Sequence, residues 1–441
     1  MGSRYAYFRM PNGKPYRGND GKHAPVHVLS EIGKTATLNS KGEVSWSGFF
    51  VNTLLVALPP ALVVLEPGDV ELNETDAWHI IWKAIIALAK SAPGKPLNPV
   101  ELLNKADEFA ATFFRTPPEK YVLVSSLSVA DLPAKSIKVR GCAISSLKER
   151  GKKFPLPNVL SWQSSGSAFY KHIKSSRYRI VKVYTGGRSK YDATESALNS
   201  LNLLRGLWSL FATYGSWSMR FGSTSRKPLG VIHTGPIHTL HFPNGKLVDD
   251  NLYWYDPDFI EDQPIFQHAE GWEQIEKNRR WAMKRLATVE YRQELENLLI
   301  RYAGALDQPN TDVAFLQMWS ILEKITDTIG GNYDETIKRT IWPFSSKDRL
   351  IVKNMLESLR YRRNQYVHSG KAGQESDQVA YMIKSFVDPH LARLISNPLK
   401  VHSIEEYGEL LALPKDTTTL EQRKGMLTQA LKVIQQEKDT K

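Results

Sequence analysis

Leu359-Arg360-Tyr361-Arg362-Arg363-Asn364-Gln365-Tyr366-Val367-His368-Ser369-Gly370 closes a segment with helical periodicity. Counting through it, Val352, Leu356, Leu359, Arg363 and Tyr366 succeed one another at four-and-three spacing, one line down a helix. The line is apolar until it meets Arg363. A bare charge on a core-facing line is costly, so Arg363 is expected to have a partner or a task. Asn364 and His368 stand one turn apart, so their side chains lie one above the other. Gly370 then suits the close of a helix.

The segment before it, Val313 to Ile329, is a second apolar helix with an internal Leu322-Glu323. Together these features resemble the HEPN ribonucleases. Arg363, Asn364 and His368 match their R-N-x-x-x-H motif, and the preceding helix is similar to that of the Apea-like branch. The resemblance covers about residues 283–400, with the chain before it only loosely similar. It implies a helical bundle that cuts RNA without a metal ion or other cofactor, in bacterial immunity or toxin systems. It also implies a homodimer in which two copies of the motif form one composite groove.

The chemistry suits these residue types. RNA carries its own nucleophile, the 2′-hydroxyl, and its attack leaves a 2′,3′-cyclic phosphate. Histidine titrates near neutrality and can move the protons. Arginine keeps its charge, and its planar fork meets two phosphate oxygens. Asn364 would hold the imidazole tautomer or bond the phosphate. Arg363 and His368 are five residues apart, about 140° around a regular helix. They do not share a face cleanly, so a second chain, a distorted helix end or a curled arginine would complete the site. Arg360, Arg362 and Lys371 are candidates to track phosphates, or equally a solvated face. Tyr361 is a candidate to stack on a base. A plainer reading of the residues stays open: Arg363 pairs with Glu323, and His368 caps its own helix. Glu323 fits both readings, as a structural partner or as a group orienting Arg363.

The rest of the composition is compatible. A chain of 441 residues exceeds one ordinary core, so two or three domains are expected. The formal charge of +12 favours a polyanionic partner. A single cysteine, Cys142, excludes an internal disulfide framework and points to a reducing, cytoplasmic setting. The longest apolar run, Leu54 to Leu65, contains Pro59-Pro60 and is too short for a membrane span. No apolar signal core opens the chain, and Ala6 replaces the Ser or Thr of a myristoylation site.

Earlier in the chain, Val26-His27-Val28, Thr35–Leu38 and Val44–Trp46 read as strands. Helices are expected over Thr75–Lys90 and Pro99–Phe114, and strands over Tyr121–Val129, Ile137–Leu147 and Tyr178–Tyr184. The polar stretch 149–170 reads as a hinge. After Gly186-Gly187 comes a helix over Asp192–Tyr214, without the glycine pattern of a phosphate loop. Pro228–Tyr255 reads as strands around a Pro243-Asn244-Gly245 turn, and its His233, His238 and His241 suggest structural or surface histidines rather than a metal site. From residue 266 the pattern is helical: Ala282–Tyr302, Asp312–Ile329, Lys347–Val367 and Gln374–Ile395, with Ser345-x-x-Asp348 as a capping box. Val401–Leu413 reads as irregular or short, and Leu420–Gln436 as an amphipathic helix for the bundle or a second copy.

The expected fold is α+β. Residues 1–265 are expected to form a mixed region, divisible into two subdomains near 115–120, with a sensor or regulatory role. Residues 266–400 form the bundle and 401–441 an extension. The expected function is an endoribonuclease of anti-phage abortive infection, a toxin held silent until a phage-derived trigger arrives. The alternative is a non-catalytic HEPN-like module that binds RNA or a nucleotide, or dimerises.

Overall fold

The computed structural model describes residues 5–9, 15–16, 26–46, 63–65, 72–151, 153–158, 160, 177–215, 228–256, 259–260, 263–266, 271–330, 332–369 and 376–439. The fold is α+β, with the sheets in the N-terminal half and helices after them. Most of the stretch read as a hinge lies outside the described residues.

The first part carries strands β1 (Ala6–Arg9) and β2 (Pro15–Tyr16), helix α1 (Val26–Lys34), and strands β3 (Ala36–Leu38), β4 (Val44–Trp46) and β5 (Val63–Leu65). Helices α2 (Glu74–Ser91) and α3 (Pro99–Arg115) follow, opened by the side chains of Asn73 and Asn98. Val26-His27-Val28 is helical, not a strand. Leu29 and Ile32, three apart, both enter the core there, and burial on one helical face overrides local β-branching. These elements share one apolar cluster that runs from Ala6 to Ala110.

A six-stranded antiparallel sheet comes next: β6 (Glu119–Leu127), β7 (Ile137–Val139), β8 (Cys142–Leu147), β9 (Arg179–Gly187), β10 (Ile237–His241) and β11 (Trp254–Tyr255). Their spatial order is β11-β10-β6-β9-β8-β7. Along β6 the period of two sends Tyr121, Leu123 and Leu127 into the main core, while Val122 and Val124 pack with Phe154 on the other face. The Pro243-Asn244-Gly245 turn closes with Gly245 N–H donating to the Phe242 carbonyl.

Helix α4 (Lys190–Ala212) lies between this sheet and the helices that follow. Its first half buries one face, with Ala193, Ala197 and Leu201, while every residue from Leu203 to Leu210 is buried, as suits a segment covered on every side. Gly206 lets α6 approach: a Cβ there would lie 2.5 Å from the Leu299 carbonyl oxygen. The remaining helices are α5 (Trp272–Leu286), α6 (Arg292–Asp307), α7 (Thr311–Ile325), α8 (Tyr333–Thr340), α9 (Arg349–Ser369), α10 (Ser376–Ser396), α11 (Ile404–Leu411) and α12 (Thr417–Asp439).

Three further features differ from the sequence reading, besides helix α8, which it did not include. The expected helix Ala282–Tyr302 is two, α5 and α6, because the chain turns at 287–291 to bury Val289 and Tyr291, whose hydroxyl donates to the Leu394 carbonyl. Residues 404–411 are a helix whose Ile404, Tyr407 and Leu411 enter the core. Ser345 and Asp348 bond side chain to side chain, and the Asp348 N–H goes to the Ser345 carbonyl, so this is a turn rather than a reciprocal box. The main apolar cluster runs unbroken from Tyr121 to Leu411, past both residue 265 and residue 400.

Candidate functional site

The motif lies in the last third of α9, which packs against α8 and α10. Its inner line is as the spacing requires: Val352, Leu356 and Leu359 are buried. Beyond Leu359 the next inward position falls between residues 362 and 363, because 3.6 residues per turn lies between steps of three and four. The structure divides the role between the two arginines.

Arg362 turns inward toward α7. Its Nη2 is 3.5 Å from Oδ1 of Asp312, a buried carboxylate in the first turn of α7. Its Nε and Nη2 are themselves buried and have no hydrogen-bond partner. Asn310 caps that turn, accepting from the Asp312 and Val313 N–H groups. Arg363 is half-buried and lies over the Tyr333 ring at the start of α8, its guanidinium carbon 4.9 Å from the ring centroid.

Asn364 is half-buried, and its Oδ1 is sealed from solvent with no hydrogen-bond partner among the described residues. His368 belongs to the last turn of α9, but its side chain lies outside the described residues, as do Gly370 and Lys371. Tyr361 is 67% exposed, and its hydroxyl accepts a bond from Gln365. Tyr366 is half-buried.

The structure separates Glu323 from Arg363 and gives Arg360 acidic partners. Glu323 makes no ion pair with Arg363. Its Oε1 accepts a 2.8 Å bond from the Trp319 indole, one turn back on its own helix. The Trp319 ring meets Tyr333 edge-on at 6.2 Å, so Glu323 reaches Arg363 only through two aromatic rings. Arg360 is not a free cation: it pairs with Asp334 and with Glu357. Acidic side chains therefore hold Arg360 and Arg362, and an aromatic ring carries Arg363.

Sequence reasoning missed Tyr333, Asp334 and Asp312, and the whole of α8. The signal was present: Asn332 followed by Asp334 and Glu335 is a helix start, and the Asn332 side chain accepts from the Asp334 N–H. His233, His238 and His241 are all buried, each with its own partner. His233 Nδ1 faces Asp307 at 3.2 Å, His238 Nδ1 meets Ser125 Oγ at 2.8 Å, and His241 lies between Thr239 and the Gly245 carbonyl. Burial, with Arg150 nearby, pushes His238 down to about 3 and His241 down to about 4. Among the described residues no group of three His, Cys, Asp or Glu side chains is placed to hold a metal ion.

Compared with protein-family models, curated proteins and solved structures, the chain matches none. The site is therefore read from its own chemistry. It offers a half-buried guanidinium on an aromatic platform, with an amide oxygen on the next residue that finds no partner among the described residues. No helix among the described residues is long and apolar enough to cross a membrane.

Proposed function

We propose that the chain is a metal-independent endoribonuclease of the HEPN type, acting in the cytoplasm as a homodimer in anti-phage abortive infection. One observation carries the reading: among the described residues no carboxylate is committed to the half-buried Arg363, unlike Arg360 and Arg362. A held but uncommitted guanidinium is suited to a phosphate that gains charge during reaction. His368, one turn after Asn364, supplies the proton transfers, and its twin in the second copy completes the acid–base pair. Tyr361, exposed on the same helix, supplies a surface on which a base can stack.

RNA ends sequenced after expression test this. Wild-type protein is expected to leave 2′,3′-cyclic phosphates at defined sites. Arg363→Ala is expected to lower cleavage about 10²–10³-fold and His368→Ala about 10²–10⁴-fold, with unfolding midpoints unchanged. Full cleavage by either variant would sink the assignment.

The N-terminal region is proposed as the sensor or restraint that answers a phage-derived trigger. Its link to the rest includes Ser189 Oγ, which donates to Asp76 Oδ2 at 2.7 Å and so joins α2 to the start of α4. Asp76→Ala should shift host toxicity or trigger response, and an unaltered phenotype counts against the role.

A second reading is favoured by the pairing of Arg360 and Arg362 with Asp334, Glu357 and Asp312. A surface whose cations are already matched suits a non-catalytic module that binds RNA or a nucleotide, or that only dimerises. Absence of RNA cleavage by the triggered wild type would favour it.

A further inference from the structure

Helix α12 stands away from the body of the protein. Its start is fixed: Asp416 accepts from the Thr418 and Thr419 N–H groups, and Lys415 donates to the Phe344 carbonyl. A side-chain hydrogen bond from Thr419, helped by those backbone bonds, holds the Asp416 carboxyl below the usual carboxylate range. From Glu421 to Gln436 every residue is exposed. On one face these include Leu427, Leu431 and Ile434, each 50% exposed or more. A lone helix with this apolar face is marginal in water, and Gly425 in its interior weakens it further. The face calls for a cover.

The sequence of α12 says which one. Positions 420, 424, 427, 431, 434 and 438 follow the alternating four-and-three step of a two-helix seam. They hold Leu420, Lys424, Leu427, Leu431, Ile434 and a lysine at 438. Pairing two copies in parallel would set Lys424 against Lys424 inside the seam, a like-charge contact in a drying environment. Reversing one copy removes it. Lys424 then faces Ile434 of the second copy, with its stem on apolar surface and its ammonium free to reach water. Leu427 faces Leu431 in both directions. Ala430 meets Ala430 at the centre, where a small side chain allows close approach. Gly425 falls on the outer surface, where a Cβ would meet nothing.

We infer that α12 is a self-recognition helix that pairs antiparallel with α12 of a second copy of this chain. The occupant follows from charge and layer matching, and is independent of the ribonuclease reading. The geometry joins two protomers through a contact separate from α9.

Single-cysteine variants of the full chain test the register, since the native Cys142 is buried. Leu427→Cys and Leu431→Cys proteins are mixed, oxidised mildly and run on a non-reducing gel. The antiparallel pair predicts a cross-linked dimer in the mixture, several-fold above either variant alone. Equal cross-linking by each variant alone would mean parallel pairing and overturn the proposal. So would no cross-linking in any arm together with a monomer in sedimentation. Gly425→Ala in the wild-type background favours the helix by about fivefold and should tighten dimerisation in sedimentation. His368→Ala should leave all of these readouts unchanged, so a failed nuclease assay and a failed cross-link remain separate results.

Discussion

Asp312→Ala measures how the motif segment is held. Asp312 is 5% exposed, in the first turn of α7, and Arg362 reaches it from α9 at 3.5 Å. Two unit charges at that separation attract by about 5 kcal/mol at an effective dielectric of about 20. Desolvation of both groups offsets much of this. Truncating one partner of a fully buried pair costs about 3–5 kcal/mol, because the other charge is stranded. Arg362 keeps 24% of its side chain exposed, so a stranded guanidinium can turn toward water and the cost falls. Asp312 also gains about 0.5 kcal/mol from the helix N-terminus. The expected loss for Asp312→Ala is therefore about 2 kcal/mol. Arg362→Met should cost about 1 kcal/mol, since it keeps the packing and leaves a carboxylate that the helix start still favours. The double variant should recover about 1–1.5 kcal/mol of the summed loss. Urea midpoints at constant slope give all three values. Additivity within about 0.3 kcal/mol would show that the two groups do not interact, and the account of Arg362 would fall.

Other predictions concern the core. Burial pushes His390 down to about 4, as it does His241, with His238 lower still at about 3. Each folded value lies below the unfolded value of about 6.5, so the unfolded chain binds more protons in mild acid. The stabilisation is complete above about pH 6.5 and is lost as pH falls, at up to about 1.4 kcal/mol per pH unit for each group. Urea midpoints should drop between about pH 7.5 and about pH 5.5, and a flat profile would contradict the burial of these rings. Gly206→Ala forces α4 and α6 apart at the Leu299 carbonyl. It should lower stability by about 1–3 kcal/mol despite alanine's better helix propensity, and an unchanged melting point would refute the close approach.

Much of the frame was legible in the sequence because it depends on periodicity. The segments around α7, α9 and α10 repeat apolar residues over four turns or more, and their boundaries differ from the expected ones by few residues. The partners of the motif were harder to read. Val352, Leu356 and Leu359 set the inner face, but the next inward step lands equally on Arg362 and Arg363. Only the position of Asp312 and Tyr333 in space decides which arginine pairs and which stacks. Helix α8 is eight residues long, too short for a convincing period, yet it supplies both Tyr333 and Asp334. The continuous core across residue 265 was hidden for a related reason. Leu203, Leu207 and Leu210 beside the main stripe of α4 imply cover on every side, but composition alone does not say which layers provide it.

Helix α4 behaves as a strut clamped at both ends. It spans about 34 Å, starting at the Ser189–Asp76 hydrogen bond and ending where Lys384 holds the Thr213 carbonyl. Lys384 lies midway along α10, a neighbour of the motif helix. A push or twist on the N-terminal cluster would meet a stiff rod, not a loop, on its way to the helix on which α9 rests.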